Sequence, residues 1–322
     1  SSFADKKRVR ELIEQTRATL ELNLLRASNQ IMASRLVSYL SPAGAYNEAG
    51  SLEFYWFVKD LSEHFDERYE EMKTILTALL PLLFNQHGLL IGLTAASADY
   101  AAFAEPGTGL VESLSDKTYP AAAYHWDIAA GNEGLVSSSR VQYVGKGANF
   151  LRQGYRFTGT MRVVETLMRY DYLWTRVRVQ GGAYGASAQF DRNGTMLFTS
   201  YRDPNLAETL AVFDGIAEYL RHFDASEREM TKYIIGTMSG IDMPLTPQMK
   251  GNVAAVGWIR GISQADRQKL RDEVLATRQQ DIRALADLVA DGMAQDTFCV
   301  FGNEVKLQEN QSIFKRLKNV MG

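Results

Sequence analysis

The sequence predicts an α+β protein, and three observations carry the prediction. Long stretches return apolar residues every three or four positions, the period of a helix with one buried face. Short apolar runs bounded by turn residues read as strands, and two of them flank Asp191-Arg192-Asn193-Gly194, a turn suited to joining a hairpin. With 322 residues, 46% of them hydrophobic and 23% charged, the chain can build full-sized cores and is long enough for two ordinary domains.

Residues 5 to 38 form a helix-like stretch that lines up Val9, Leu12, Ile13, Leu20, Leu24 and Leu25. Pro42 and the small residues around it interrupt this pattern over 39 to 50. A second helical region runs from 52 to 86 with a break near Phe65 and Asp66, and LLIGLTA at 89 to 95 is a strand candidate. From 96 to 135 the period fades and Pro106, Gly107, Gly109, Pro120, Gly131 and Gly134 accumulate. This segment reads as a surface connection that holds a domain boundary, with Tyr119, Tyr124, His125 and Trp126 as aromatic area to bury. SSSRVQYVGKG at 137 to 147 is strand-like, and a helical run follows through Met161, Val164, Leu167 and Met168. YGASAQF and TMLFTSY form the hairpin arms. Asp203-Pro204 starts a helix with Leu206, Leu210, Phe213, Ile216 and Leu220 on its apolar face. Ser226 with Glu229 has capping-box spacing. Further helices are predicted over 247 to 260, 263 to 276 and 278 to 291, then the strand TFCVF and a terminal helix over 307 to 318. Helices, an interruption, helices and a short strand describe both 5 to 95 and 226 to 302. Only the second copy has strands before it, so residue 1 is expected to lie midway through a domain.

Thirty-five Lys and Arg against 38 Asp and Glu give a net charge of -3 and a pI near 5.9. No basic block dominates, which argues against nucleic acid as a partner. Cys299 is the only cysteine; a disulfide within the chain is excluded, the apolar run around Cys299 predicts a buried thiol, and the usage suits a reducing compartment such as the cytoplasm. No apolar run reaches the length of a membrane span. The N-terminal segment is helical in pattern and carries no signal-peptide core.

The residues do not supply a complete catalytic apparatus. Of the four histidines, His64, His87, His125 and His222, none forms His-x-x-x-His or His-x-x-Glu-His, so a zinc site within this chain is not expected. There is no Gly-x-Ser-x-Gly elbow, GKGANF is not a phosphate loop, and GGAYG lacks dinucleotide-binding spacing. The strongest local feature is RVRVQGGAYGASAQF, Arg176 to Phe190. Gly181 and Gly182 permit tight or positive-φ backbone where a helix gives way to a strand. Two readings follow from the residues alone. One is a structural glycine turn with Tyr184 packed beneath it. The other displays Arg178 and Tyr184 together, a charged donor and a neutral hydroxyl suited to peptide carbonyls or a developing oxyanion.

The stretch LWTRVRVQGGAYG at 173 to 185 resembles the C-terminal half of the presequence-protease branch of the pitrilysin-type zinc metallopeptidase family. NEGLVSSSRVQYVGKGANF at 132 to 150 and FTSYRDPNLAETLAVFDGIAEYL at 198 to 220 extend the resemblance on either side. It implies two related metallopeptidase-type domains, antiparallel sheets packed with helices, the first incomplete at its N-terminus. Residues 1–110 would be the later part of the third family domain, 111–136 a connection and 137–322 the fourth domain. The resemblance places the zinc ligands and catalytic glutamate in an N-terminal half, in an inverted His-x-x-Glu-His motif absent here. Zn2+ is therefore expected in that half, with no cofactor in this chain. Arg178 and Tyr184 match the arginine and tyrosine that reach the substrate at the zinc, and Gly181 and Gly182 match the glycines that shape their approach. The implied partners are the catalytic half, covalently joined or tightly associated, and an unfolded peptide. The chain is expected to be inactive alone. A noncatalytic peptide-binding or scaffold subunit of the same fold is the rival reading, and a standalone hydrolase is a second.

Overall fold

The computed structural model describes residues 3–126, 128 and 131–321, with backbone alone for 104–108. The chain divides into two compact units, one made of residues 1–17, 58–124 and 243–267, the other of 18–57, 125–242 and 268–322.

In the first unit a small core forms from Val9, Phe65 and Tyr69, with Phe3, Ile13 and Met72 against it. The guanidinium of Arg10 lies 4.6 Å from the centre of the Phe65 ring and pairs with Asp66 at 2.6 Å. Helix Phe65–Leu83 begins after the expected break and ends near Pro81. The strand expected over 89 to 95 is not present. Leu89, Leu90, Ile91 and Leu93 are exposed and irregular, because β structure needs a neighbouring backbone to pair with and none of the described residues supplies one. The connection predicted from 96 contains helix Ser97–Glu112, which the turn-like Pro106, Gly107 and Gly109 hid.

The second unit is built on one mixed sheet: β1 (Asn132–Ser137), β2 (Tyr143–Asn149), β3 (Gly185–Phe190), β4 (Thr195–Tyr201), β5 (Phe298–Asn303) and β6 (Arg316–Asn319). Its order is β3-β4-β2-β5-β1-β6. The β3–β4 hairpin turns where predicted, and β2 is antiparallel to both β4 and β5. The sheet is not wholly antiparallel, since β1 runs parallel to β5 and β6. Side-chain alternation divides each central strand between two cores. Leu135, Tyr143, Leu197, Cys299 and Phe301 meet helix Ser28–Ser38 through Ile31, Met32 and Leu36, with Leu40 just past its end. Val136, Val144, Phe198, Phe298 and Val300 face the opposite core, shared with helices Thr160–Tyr170, Ala207–Asp214, Ile216–Arg221 and Ala286–Ala294.

Three local corrections have simple causes. The interruption is confined to 39–41, and Pro42 starts a new helix: Ser41 caps it by accepting from Gly44 N at 3.0 Å, and Pro42 takes a first-turn position where its missing N–H costs nothing. The terminal helix over 307 to 318 is replaced by helix Glu304–Glu309, a short 3₁₀ turn and β6, because Arg316 pairs across to Glu133 on β1 at 2.6 Å. Tyr124 and Trp126 are not buried; the Trp126 ring instead meets Tyr46 edge-on at 6.1 Å. The Ser226–Glu229 capping box forms as predicted, Ser226 N donating to Glu229 at 2.8 Å.

A buried charge cluster ties helix Ser28–Ser38 to β1 and β6. Glu133, fully buried, accepts from Arg35 Nε at 2.6 Å and from the Tyr39 hydroxyl, and it pairs with Arg316. Burial pushes its carboxyl up, but the Arg35 hydrogen bond and charge win and hold it below the usual range. Glu48 lies in the same cluster. One oxygen accepts from Ser34 Oγ at 2.7 Å; the other receives no hydrogen bond among the described residues and lies 3.5 Å from Arg35 Nη1.

Candidate functional site

The site grows from the point where helix Thr160–Tyr170 ends. After Asp171 the chain rewinds as a wide π-type turn over Trp174–Gln180. Gly181 N donates to Arg176 O at 3.1 Å, a five-residue span, and Ala183 N donates to Val177 O at 3.1 Å. The turn sorts its side chains between core and surface. Leu173 and Val177 are buried in the core, while Trp174, Arg176 and Val179 remain outside. Gly181 closes the turn because a Cβ there would meet Val177 O at 2.6 Å, and Gly182 follows at φ +82, a conformation costly for any other residue. These two glycines therefore do the geometric work that the sequence assigned to them.

Their consequence is the placement of Tyr184. Its backbone N donates to Tyr201 O at 3.0 Å, fixing the residue at the mouth of the hairpin. Its ring lies edge-on to Tyr201 at 5.9 Å; Tyr201 is edge-on to Tyr143 at 5.4 Å, and Tyr143 to Phe301 at 6.1 Å. A ladder of rings thus runs from the surface into the core. Tyr184 is 66% exposed, so it is displayed rather than packed beneath the turn, and its hydroxyl has no protein hydrogen-bond partner among the described residues. The Arg178 guanidinium lies 4.1 Å from the Trp174 ring centre and 5.7 Å from that of Tyr184. The structure brings Arg178 and Tyr184 together. Among the described residues Arg178 forms no ion pair.

Both side chains border a groove of about 510 Å³. Its floor is the β3–β4 face that helix Ser28–Ser38 leaves uncovered, where Ser187 and Thr199 are register partners with hydroxyls 2.7 Å apart. Asn29 and Gln30 form part of the facing wall. Such a groove offers hydroxyls, amides, two phenols and one guanidinium, and no carboxylate. That set complements peptide carbonyls and developing negative charge.

Sequence reasoning missed the support. Asn205 Nδ2 donates to Gly181 O at 2.6 Å, and Arg202 holds a positive φ of 49 beside Tyr184. Asp203, fully buried, anchors that loop by accepting from Asn205 N at 2.9 Å and Thr209 Oγ1 at 2.7 Å; burial raises its carboxyl above the usual range. The sequence offered Asp203-Pro204 as a helix start, but the helix begins at Ala207, and the anchoring role of Asp203 was not legible. Trp174, four residues before Arg178, was a signal available in the sequence.

Metal ligation finds no support in these residues. Among the described residues no three His, Cys, Asp or Glu side chains converge in a way that could hold an ion. His64 and His222 instead lie against Asp60 and Glu218 one helical turn away, and His87 against Asp116 O. The described residues do not fit a zinc centre. Cys299 is fully buried on β5 and burial raises its thiol well above the usual range, which suits packing and not nucleophilic chemistry. Among the described residues no helix is long and apolar enough to cross a membrane.

Comparison with known proteins matches residues 132–301 to the PreP C-terminal domain and residues 1–61 to the associated region of peptidase M16 subfamily C. Protein HypA of Clostridium perfringens is 35% identical over 98% of this chain and 32% of its own length. Presequence protease 1 of Arabidopsis thaliana, chloroplastic/mitochondrial, is 31% identical over 89% of this chain and 27% of its own. The chain thus spans about a third of the length of these curated relatives. The crystal structure of pitrilysin superposes on 64% of this chain and 23% of that one with a TM-score of 0.47 and 12% identity, too loosely to carry an argument. With more than half of its residues under the first family model, the chain belongs to the PreP C-terminal domain family, as the C-terminal and associated region of a pitrilysin-type, presequence-protease-like protein.

Proposed function

We propose that this chain is the non-zinc half of a metallopeptidase that degrades unfolded peptides, and that it holds the substrate with Arg178 and Tyr184. Residues 1–110 and 137–322 then correspond to the third and fourth domains of such an enzyme, and the zinc and its catalytic carboxylate come from an N-terminal half. The observation that carries the reading is the pairing of an exposed phenol with an arginine, neither of them engaged by a carboxylate among the described residues, both on the rim of one groove. The Tyr184 hydroxyl donates to the carbonyl oxygen of the bound peptide as negative charge develops there. The Arg178 guanidinium holds an adjacent backbone carbonyl or adds to the same charge.

Tyr184→Phe tests the proposal, because it removes one hydroxyl and leaves the ring ladder in place. Steady-state hydrolysis of an unstructured fluorogenic peptide is measured in the zinc-bearing full-length protein. A lost oxyanion donor lowers kcat/KM by about 10²- to 10³-fold. A variant with unchanged kcat/KM removes Tyr184 from the chemistry and leaves the noncatalytic scaffold as the better reading.

A further inference from the structure

We infer that Trp174 is a positioning residue for Arg178: it fixes the guanidinium without neutralising it. This rests on the proposed role of Arg178 in holding substrate. Trp174 is 42% exposed, so core packing does not account for a large aromatic side chain at the first position of the wide turn. What it touches is the guanidinium, 4.1 Å from its ring centre, well inside cation–π range.

Three paired arginines of the chain set the contrast, while Arg202, 5.6 Å from the Tyr201 ring centre, is a second stacked arginine without an ion pair among the described residues. Arg10 stacks on Phe65 and also pairs with Asp66 at 2.6 Å. Arg162 stacks on Phe157 and pairs with Glu165 at 2.9 Å. Arg35 lies between Tyr39 and Trp56 and is held by Glu53 and Glu133. In each the carboxylate fixes the side chain and offsets its charge. Arg178 has the stack and, among the described residues, no carboxylate. A ring face limits the rotamers of a long, flexible side chain while leaving its N–H donors and its charge available to a bound carbonyl. Positions 174 and 178, four apart, lie on one side of the turn while Val177 goes into the core.

The test is a mutant cycle in the zinc-bearing full-length protein, reading kcat and KM on an unstructured fluorogenic peptide, with thermal midpoints as a control for folding. Trp174→Leu lowers kcat/KM by roughly two- to thirty-fold, the range of one cation–π contact. Trp174→Phe, which keeps a ring face, recovers most of the loss. In an Arg178→Ala background, Trp174→Leu produces no further loss. The inference is overturned if Trp174→Leu retains full kcat/KM while Arg178→Ala is impaired, if Trp174→Phe is as defective as Trp174→Leu, or if the two losses multiply. Full activity of Arg178→Ala is a separate result: it removes the proposed substrate role of Arg178 and, with it, the need for a positioning residue.

Discussion

Glu48→Gln is expected to remove a pH dependence of stability that comes from one carboxyl group. Burial is the main force on Glu48, and it pushes the carboxyl from an ordinary 4.5 up to about 7; Ser34 and Arg35 oppose the rise, while Glu53 and Glu133 add to it. A carboxyl whose pKa is higher in the folded state keeps its proton longer there than in the unfolded chain. Its favourable contribution is complete below the unfolded value and is lost as pH rises through the folded one. At about 1.4 kcal/mol per unit, the whole loss is about 3 kcal/mol, of which about 2.5 falls between pH 5 and pH 8. The glutamine side chain resembles the protonated acid and does not titrate. The quantity to measure is the stability difference between variant and parent at each pH, from urea unfolding of the sheet-bearing unit followed by fluorescence and circular dichroism. Taking the change in that difference cancels every other titrating group. The variant should gain about 2 kcal/mol or more relative to the parent between pH 5 and pH 8. A difference independent of pH, or one that moves against the variant, would refute the reasoning and mean that Arg35 fully compensates the buried charge.

Three further outcomes follow from the same structure. Gly182→Ala places a side chain at φ +82 and should cost about 1–2 kcal/mol, read as a lower urea midpoint, with peptide hydrolysis falling further as Tyr184 is displaced. Glu133→Gln removes the fully buried anion that faces both Arg35 and Arg316 and should destabilise by about 3–5 kcal/mol; a change under about 1 kcal/mol in equilibrium unfolding would contradict the role given to the cluster. Cys299 should resist maleimide in the native protein and react once urea has unfolded the sheet, and fast native labelling would contradict its burial on β5.

The parts of this protein legible in the sequence are those fixed by local physics. The hairpin announced itself through Asp191 to Gly194 and the helix at Glu227 through its capping box, because short-range hydrogen bonds decide both. Tyr184 and Arg178 were legible as candidates because the double glycine signals a special backbone path, although residues alone left both display and burial open. What the sequence hid depends on partners distant in the chain. Leu89 to Leu93 have the composition of a strand and no backbone to pair with among the described residues. Arg316 to Asn319 lie in a helical pattern and become β6 by pairing with β1, which is far away in the chain. Asn205 supports Gly181 across a gap of 24 residues, which no window of local periodicity can contain.

The two central arginines show why charge counting could not separate scaffold from site. Arg35 and Arg178 each follow an apolar period on a helical segment, and both meet aromatic rings. Their difference is in what balances the charge. Arg35 is buried among carboxylates, so its hydrogen bonds are complete and its charge is spent within the fold. Arg178 stands at a groove with no carboxylate on its walls, beside a phenol whose hydroxyl is also unengaged. A fold gains little from leaving an exposed phenol and a half-buried guanidinium together without partners among the described residues, whereas a bound peptide carbonyl satisfies both at once. The glycine turn, the wide helix and the ring ladder then have a common effect: each fixes the direction of one of these donors while leaving its hydrogen bonds to be completed by the substrate.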